Sequence, residues 1–348
     1  MSNPVLGIIG GGQLGSMLCD AAKKIGIKTI IYCDDMEAPA QNFSNEFICG
    51  KYDDRNLIDQ FIKKVDLITF EFENIPYETL NLINIIKPVL PKPSVIKIIQ
   101  NRLTEKHFVN KLNINTTQYV SINNKVEMYS SEKFLPGLLK TTTLGYDGKG
   151  QYLINSVKDL DVLEIDFSKK FILEKLVNIK KEISIVITRF KNKNCEIYDP
   201  IENNHEDQIL KYSKIPADIS DHILRKSKLW ATLIAEELNY IGTLCVEFFI
   251  DKNNNLYVNE IAPRVHNSGH LTINAYNVSQ FENHIRAICE LEQIKLNKIS
   301  NARMINIIGD QINFYRNKSF KNNEFFFDYL KKVPKKKRKM GHLTVLKN

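Results

Sequence analysis

Residues 245–270 read CVEFFIDKNNNLYVNEIAPRVHNSGH, and this stretch decides the fold. Its two apolar segments, Cys245–Ile250 and Leu256–Ile261, predict a pair of strands, because the Asp, Lys and Asn residues between them are typical of a hairpin turn. Glu247 and Glu260 stand at corresponding points of these strands and can face each other. Two buried carboxylates repel unless a cation lies between them, so the pair predicts a site for a divalent metal ion.

The amino-terminal third of the chain alternates short apolar segments with segments of helical periodicity. Strands are predicted at Val5–Ile9, Lys28–Tyr32 and Asp66–Phe72, and helices at Gln13–Ile25 and Leu57–Lys64. This order is typical of an α/β protein with a parallel, doubly wound sheet, whose chemistry lies at the carboxyl ends of the strands. A proline-rich stretch at residues 87–93 ends this predicted domain.

The first predicted strand is followed by a glycine-rich turn, Gly10–Gly15, that fits the pattern G-x-G-x-x-G. Asp34 closes the next strand, as a dinucleotide-binding site requires. The physical content of the pattern is narrower, because backbone amides at a helix N-terminus can hold a phosphate monoester as well as a pyrophosphate. Taken alone, the glycines leave open a nicotinamide or flavin cofactor, a plain tight turn and another phosphorylated ligand.

Four separated features converge on one nucleotide. Lys140 ends an apolar strand and is placed to contact phosphate. A flexible loop follows whose glycines let backbone amides close over phosphates, and it consists of Gly145, Tyr146, Asp147, Gly148, Lys149, Gly150 and Gln151. Leu173–Val177 can be an edge segment whose backbone pairs with adenine, with Glu182 further along toward the ribose. Together with Mg²⁺ between the phosphates and the Glu247–Glu260 pair, these features predict an ATP site.

The net charge of +8 over 348 residues is a local feature. Seven positive charges and no acidic residue lie within residues 331–339, and the rest of the chain is close to neutral. Such a run is typical of a solvated basic face, a nuclear-import signal or a nucleic-acid patch, but interleaved aromatic residues are missing. No apolar run approaches the roughly 20 residues that span a bilayer, and no signal peptide is recognised. We therefore expect a cytoplasmic protein that binds neither membranes nor nucleic acid.

The chain resembles the ATP-grasp superfamily and, within it, the N5-carboxyaminoimidazole ribonucleotide synthetase family. The matching segments run nearly end to end: Gly10–Gly15, Phe70–Asn74, Gln100–Arg102, Gly145–Gln151, Asn259–His270 and Lys339–His342. The glycine loop and the glutamate pair belong to the whole superfamily, whereas Asn259–His270 is specific to the family. The resemblance implies an α/β protein with an ATP-grasp fold preceded by a Rossmann-like domain. The Rossmann-like domain would span residues 1–100, a small ATP-grasp lid 101–178, and a large ATP-grasp domain with a substrate-phosphate-binding tail 179–348.

The resemblance also implies roles for individual residues. Nucleotide contacts would fall on Arg102, Lys140, Gly145–Gln151, Glu174, Lys175, Leu176, Val177, Glu182, His205, Asn259 and Glu260, and magnesium on Glu247 and Glu260. Catalytic residues at the junction of bicarbonate and ribonucleotide would be Tyr146, Lys149, Arg264 and His266. Substrate contacts would fall on Gly12, Gln13, Leu14, Glu71, Glu73, Asn267, Ser268, Lys331 and Arg338. Either Glu71 or Glu73 would face the aminoimidazole, and the sequence does not say which.

The implied reaction converts ATP, bicarbonate and 5-aminoimidazole ribonucleotide to ADP, phosphate and N5-carboxyaminoimidazole ribonucleotide, through carboxyphosphate, in de novo purine synthesis. The protein's task in such a reaction is mostly positioning and charge stabilisation of the transferring phosphoryl group. Because relatives are commonly dimers, a homodimer is expected by resemblance.

Two departures from the family pattern concern charge. Lys149 stands where many relatives have arginine, which turns a bidentate contact into a point charge. The tail segment Pro334–Lys339 is one residue longer than the usual pattern and lacks its glycine. This leaves Arg338 as the expected phosphate ligand, with Lys331 or Lys332 as its helper.

Three other functions fit parts of the sequence. Another ATP-grasp ligase, for example one that uses formate with glycinamide ribonucleotide or a biotin carboxylase, would share the superfamily motifs, although nothing here resembles a carrier-binding region. A dinucleotide-dependent oxidoreductase would rest on Gly10–Gly15 and Asp34. A nucleic-acid-binding protein would rest on the lysine run and would show a steep salt dependence of affinity.

Overall fold

The computed structural model describes residues 3–143 and 150–347. Within these residues the strands form three sheets, of four, nine and four strands. Each sheet has its own buried apolar cluster, so the chain folds around separate cores in chain order.

The amino-terminal sheet is parallel and has the order β3-β2-β1-β4. Its elements are β1 Val5–Ile9, α1 Gln13–Lys24, β2 Lys28–Cys33, β3 Glu46–Cys49, α2 Arg55–Lys63, β4 Leu67–Phe70 and α3 Tyr77–Ile86. The strands and helices predicted from the sequence are found, and β3 is an additional strand. Because β1 and β4 are neighbours and parallel, the loops after them meet at one edge, where Gly10 and Glu71 come together.

Two short helices, α4 Pro93–Ile99 and α5 Arg102–Lys111, follow the amino-terminal sheet. Their apolar residues Val95, Ile99 and Val109 are buried in the same cluster as Trp230 of the large sheet's covering helix. Although the predicted lid range begins at residue 101, α5 therefore packs on the large sheet. This packing holds the side chains of α5 at a fixed position over strand β14, described below.

The small sheet is antiparallel, with the order β5-β8-β6-β7. Its elements are β5 Tyr119–Ile122, α6 Lys125–Ser130, β6 Gly137–Thr141, β7 Gln151–Ile154, α7 Asp159–Val162 and β8 Phe171–Lys175. β8 lies between β5 and β6 and is not an edge strand, so the expectation of an edge segment at Leu173–Val177 is wrong for Leu173, Glu174 and Lys175. Only Leu176 and Val177 lie beyond the end of the strand, where their backbone leaves the sheet.

The large sheet has the order β14-β13-β9-β11-β12-β15-β17-β16, and β10 pairs with β9. Its strands are β9 Ile179–Arg189, β10 Cys195–Ile197, β11 Ile201–Glu206, β12 Ile209–Ile215, β13 Gly242–Asp251, β14 Leu256–Ala262, β15 Asn301–Ile308, β16 Glu324–Asp328 and β17 Lys339–Lys347. Its helices are α8 Asp221–Glu237, α9 Thr272–Ala275, α10 Gln280–Ile288 and α11 Gln311–Arg316, and a 3₁₀ turn spans Asn267–Leu271. β13 and β14 form the predicted hairpin.

Among the described residues, no helix combines the length and the apolar character that a membrane span needs.

Candidate active site

A buried ionic cluster joins the small sheet to α5. The Glu174 carboxylate lies 3.2 Å from Lys140 Nζ and 3.4 Å from Lys106 Nζ. Thr117 Oγ1 donates to the same carboxylate at 3.0 Å and accepts from Lys106 at 3.0 Å. All four residues are buried, so two ammonium groups share one carboxylate out of contact with water. The cluster carries a net positive charge, which suits a neighbouring phosphate.

The charges of this cluster shift the pKa values of its members. Burial raises the pKa of Glu174, but the charges of Lys140, Lys106 and Arg102 outweigh it and lower the pKa to about 2. Burial lowers the pKa of Lys140, and the charge of Glu174 opposes this shift. Glu174 is thus ionised at neutral pH, and its side chain is engaged by lysines inside the protein. A predicted adenine contact in this segment falls to the backbone beyond the strand.

The two predicted metal-binding glutamates face each other on the β13–β14 hairpin. The register places Glu247 directly opposite Glu260. Burial and the charge of Glu260 raise the pKa of Glu247 to about 7, as expected of like charges held together. Arg102 Nη1 lies 3.4 Å from Glu260 Oε2 and partly balances that charge. Among the described residues, no group of three or more His, Cys, Asp and Glu side chains is arranged to hold a metal ion.

Glu105, one turn along α5 from Arg102, was not predicted from the sequence. It is buried, and its Oε1 accepts a 2.6 Å hydrogen bond from the backbone amide of Ile261, next to Glu260. Burial and the charge of Glu260 raise the pKa of Glu105 to about 8. Glu105 therefore fixes the backbone of β14 beside the glutamate pair.

Arg264 and His266 extend the site beyond the hairpin. Arg264 forms a forked ion pair with Glu73, through Nε and through Nη2 at 3.0 Å. The charge of Arg264 lowers the pKa of Glu73 against the effect of burial. His266 Nε2 lies 3.2 Å from Glu247 Oε1. A guanidinium and an imidazole thus stand next to the predicted metal-binding carboxylates, where anions would meet.

Glu71 occupies the glycine-rich turn. Its carboxylate accepts hydrogen bonds from the backbone amides of Gly12 and, at 2.7 Å, of Gly15. A Cβ atom at Gly12 would lie 2.6 Å from Glu71 Oε1, and Gly10 has φ of +103°, so the glycines admit this side chain. Because the protein's own carboxylate holds the helix N-terminus, the pattern does not leave it free for a pyrophosphate. The dinucleotide reading of Gly10–Gly15 loses its physical basis.

The predicted substrate contacts on α1 are reduced to two amides. Gly12 donates to Glu71, whereas no acceptor among residues 3–143 and 150–347 bonds to the amides of Gln13 or Leu14. Asn267 lies on the other side of the site, and its buried amide oxygen and nitrogen have no partner in the described part of the chain. A buried amide without partners is costly, so Asn267 is suited to receive a bound molecule.

The carboxy-terminal tail reaches the site through Lys331, which the sequence predicted, and through Lys339, which it did not. Lys331 is buried, donates to the Lys339 carbonyl at 2.8 Å, and its charge favours the ionised form of Glu71. The Arg338 guanidinium donates to the Val333 carbonyl at 3.1 Å. Lys339, the first residue of β17, lies close enough to His266 for its charge to act on that imidazole. The lysine run is thus divided: Lys331 is buried, Lys339 is half-buried, and Lys332 forms an exposed ion pair with Glu37 at 3.0 Å.

Glu182 and His205 lie side by side on β9 and β11. His205 Nδ1 is 2.5 Å from Glu182 Oε2. Burial lowers the pKa of His205, but the hydrogen bond and charge of Glu182 reverse the shift and raise it. Asn259 is half-buried on β14, next to Glu260. On β9, Glu182 stands opposite Phe249 and Ser184 opposite Glu247, so Glu182 and its partner His205 lie on the face of the large sheet that carries Glu247. Asn259 stands at the irregularity in the β13–β14 register beside the glutamate pair.

Most of the predicted glycine loop lies outside the residues that the structure describes. Gly145, Tyr146, Asp147, Gly148 and Lys149 are not among the described residues. Gly150 has φ of +69°, and Gln151 begins β7 opposite Lys140. The carboxyl end of the loop is therefore held beside Lys140.

Lys106, Glu105 and Lys339 are site residues that sequence reasoning did not select. Arg102 and Lys106 are four residues apart, so they share one face of α5, and this spacing was a usable signal. Glu105 and Lys339 carried no comparable signal, because their positions depend on tertiary packing.

The fold and this arrangement of side chains define the class of protein. Residues 107–281 match the family model of the ATP-grasp domain, after a match to the ribonucleotide synthetase preATP-grasp domain at residues 4–100. The phosphoribosylaminoimidazole carboxylase C-terminal domain matches residues 302–348. The chain is an ATP-grasp protein.

Similar proteins narrow the class. The N5-carboxyaminoimidazole ribonucleotide synthase of Staphylococcus aureus (strain COL) is 38% identical over 348 residues, covering 99% of this chain and 92% of that protein. The crystal structure of the S. aureus synthetase complexed with ADP superposes with a TM-score of 0.92 at 37% identity, covering 99% and 93% of the two chains. The Aspergillus clavatus enzyme in complex with ADP and 5-aminoimidazole ribonucleotide has a TM-score of 0.91 at 28% identity, covering 99% and 94%. This chain belongs to the N5-carboxyaminoimidazole ribonucleotide synthase family.

Proposed function

We propose that the chain catalyses the ATP-dependent carboxylation of 5-aminoimidazole ribonucleotide by bicarbonate, giving N5-carboxyaminoimidazole ribonucleotide, ADP and phosphate. The observation that carries the proposal is the Glu247–Glu260 pair, which lies between two groups of charges. On one side is the buried Lys140–Glu174–Lys106 cluster, and on the other are Arg264 and His266. A nucleotide triphosphate and a second anionic substrate can therefore meet over the hairpin.

Mg²⁺ fits the residues present. Glu247 and Glu260 offer only oxygen ligands, and the pKa of Glu247 is raised by burial and by the like charge of Glu260, whose repulsion a divalent cation would relieve. Mg²⁺ binds through one or two carboxylates and takes its remaining ligands from phosphates and water. When bound, it would supply charge neutralisation at the transferring phosphoryl group.

The protein side chains would share the remaining work. Lys140 would contact the ATP phosphates, with Arg102 beside Glu260, while Glu182 and His205 would hold the ribose side. The nucleotide would be bordered by Leu176, Val177 and Asn259. Arg264 would orient bicarbonate or the carboxyphosphate formed from it, because a guanidinium can bind a planar anion through two hydrogen bonds.

The ribonucleotide would lie between the amino-terminal sheet and the tail. The amides of Gln13 and Leu14 have no acceptor within residues 3–143 and 150–347 and can receive an anion. The buried side-chain amide of Asn267 has no partner in the same ranges and can receive a polar group. Glu71 accepts from Gly12 and Gly15, and Glu73 is paired with Arg264, so whichever of them meets the amine would exchange a present partner for it. Lys331 and Lys339 would bring positive charge to the 5′-phosphate of the ribonucleotide, and Arg338 would add to that charge.

The test is ADP release from Mg-ATP and bicarbonate, with and without 5-aminoimidazole ribonucleotide. We expect release to depend strongly on the ribonucleotide and to be abolished by Glu260→Ala. Glu202→Ala, which removes another strand carboxylate on the same sheet, should leave it intact. ADP release only with another amine or carboxylate would assign the chain a different ATP-grasp reaction, and absence of ATP binding would refute the nucleotide site.

The homodimeric state and the cytoplasmic location expected from the sequence belong to the same proposal. Sedimentation of the purified chain over a range of concentrations tests the first, and a fluorescent fusion tests the second.

A further inference from the structure

A chain of buried polar side chains crosses the large sheet and ends at His266. Ser213 Oγ lies 2.8 Å from Asn203 Oδ1, and Asn203 Nδ2 lies 2.9 Å from Ser184 Oγ. Ser184 Oγ is 2.7 Å from Ser268 Oγ, which is 2.8 Å from His266 Nδ1. The three serines are fully buried, and Asn203 nearly so. Four polar side chains are thus hydrogen-bonded in series in a part of the sheet that would otherwise be apolar.

The groups at the two ring nitrogens give this chain a direction. The Ser268 backbone amide points at His266 Nδ1 at 3.3 Å, and a backbone amide can only donate. A carboxyl oxygen of Glu247 lies 3.2 Å from His266 Nε2, where it can accept a hydrogen bond from an Nε2–H. Both contacts favour a bare Nδ1 and a hydrogen on Nε2.

Every link is consistent with that direction. With Nδ1 bare, the Ser268 hydroxyl donates to it, so Ser268 Oγ accepts from the Ser184 hydroxyl. Ser184 Oγ then accepts from the amide nitrogen of Asn203, whose oxygen accepts from Ser213. The hydrogen bond made by one ring nitrogen of a histidine sets the state of the other.

The backbone of His266 is held as firmly as its ring. Gln280 Oε1 accepts from the His266 amide at 2.9 Å, and Gln280 Nε2 donates to the His266 carbonyl at 2.6 Å. Ser268 was predicted to contact the substrate. In the structure its side chain is fully buried, and its hydroxyl is engaged by Ser184 and His266.

We propose that Ser213, Asn203, Ser184 and Ser268 form a one-way hydrogen-bond chain that holds His266 as its Nε2–H tautomer. His266 then presents a hydrogen-bond donor, and not a proton acceptor, to the oxygen atoms that gather over the hairpin. The four residues are positioning residues, since they act through His266. The inference deepens the proposed function and rests on it only for the identity of the anion that Nε2–H would meet.

The direct test is the ¹⁵N spectrum of the imidazole rings in the ligand-free protein at neutral pH, with His266→Asn used to assign the His266 signals. We expect a bare Nδ1 and a protonated Nε2. A protonated Nδ1 with a bare Nε2 would overturn the proposal, and so would equal populations of both tautomers.

The variants Ser184→Ala and Asn203→Asp test the chain itself. Ser184→Ala breaks it, and Asn203→Asp offers only acceptors at the same place, which draws the Ser184 hydroxyl away from Ser268. For each we expect a shift of the His266 Nδ1 signal and a fall in kcat of about 10-fold at unchanged KM for ATP. If Asn203→Asp does not fold, Ser184→Ala still decides the question.

A matched control lies on the same strand. Thr188 and Thr243 form another buried hydroxyl pair at 2.7 Å, and Thr188→Val removes that bond while leaving in place the hydrogen bond from Thr243 Oγ1 to the Gln280 carbonyl. We expect this variant to leave the His266 signals and kcat unchanged. Equal loss of kcat in Thr188→Val and Ser184→Ala would reduce the chain to a packing role. The spectrum does not depend on turnover, so a failure of the proposed reaction would leave this result readable.

Discussion

Glu174→Gln should destabilise the protein severely, although it changes a single oxygen to a nitrogen. The substitution leaves Lys140 and Lys106, whose side chains are only 10% and 3% exposed, without the carboxylate that bridges them. Removing one partner of a buried ion pair costs about 3–5 kcal/mol.

The pKa of Glu174 gives a second route to the magnitude. It is lowered from 4.5 to about 2 in the folded protein, so the folded state favours the ionised form. This stabilisation is fully present above pH 4.5 and is lost as the pH falls toward 2. At about 1.4 kcal/mol for each pH unit, it contributes roughly 3 kcal/mol at neutral pH. The two routes agree.

Glu202 offers a matched control, because it also bridges two lysines. It lies 3.3 Å from Lys181 and 3.0 Å from Lys214, but these side chains are 22% and 36% exposed. Exposed pairs contribute about 0–1 kcal/mol, so Glu202→Gln should cost little. Urea unfolding at pH 7 measures both variants, and Glu174→Gln combined with Lys106→Met should recover part of the loss. Equal costs for Glu174→Gln and Glu202→Gln would refute the burial argument.

Three further predictions concern other charges. Glu105→Gln should gain stability relative to the parent protein as the pH rises from 4.5 through about 8, because the raised pKa of Glu105 means that the folded parent must give up a proton it prefers to keep. Urea unfolding without metal at pH 5 and pH 8.5 measures this. If the difference in unfolding free energy between the variant and the parent is the same at both pH values, the prediction is contradicted. Arg264→Lys should lower kcat/KM for the ribonucleotide by on the order of 10-fold, since an ammonium cannot reproduce the fork; steady-state ADP release measures this, and an unaltered kcat/KM would rule out a bidentate role. Lys332→Ala should change the free energy of unfolding by less than about 1 kcal/mol, because its pair with Glu37 is exposed; a larger cost in urea unfolding would show that the tail is anchored there.

The hairpin and the first sheet could be predicted because their signals are local. The turn residues between Cys245–Ile250 and Leu256–Ile261 fix a hairpin, and the hairpin alone brings Glu247 opposite Glu260. In the same way, the alternation of strands and helices before residue 90 determines a parallel sheet. Chemistry that depends on neighbouring segments of the chain is visible in the sequence.

The rest depends on long-range pairing. Strand β8 is interior because β5 and β6 pair on both of its sides, and no local pattern specifies that order. Burial, with the charges of Arg264 and Lys339, lowers the pKa of His266, and Lys339 comes near that imidazole only because β17 pairs with β15 in the large sheet. Glu71 reaches Gly12 and Gly15 across 56 to 59 residues of sequence. The different hydrogen-bond partners of Glu71 and Glu73 therefore depend on the assembled fold.

The position of the Glu71 carboxylate at the N-terminus of α1 has a consequence for protein engineering. An attempt to convert this amino-terminal domain into a redox module, guided by its glycine pattern, would keep the glycines. It would fail because the Glu71 carboxylate already accepts the hydrogen bonds that a pyrophosphate would need. The conversion would have to begin by shortening residue 71, since only then could the first turn of α1 receive a pyrophosphate. The residue that ends the strand beside a glycine-rich turn is thus as informative as the glycines when such domains are chosen as scaffolds.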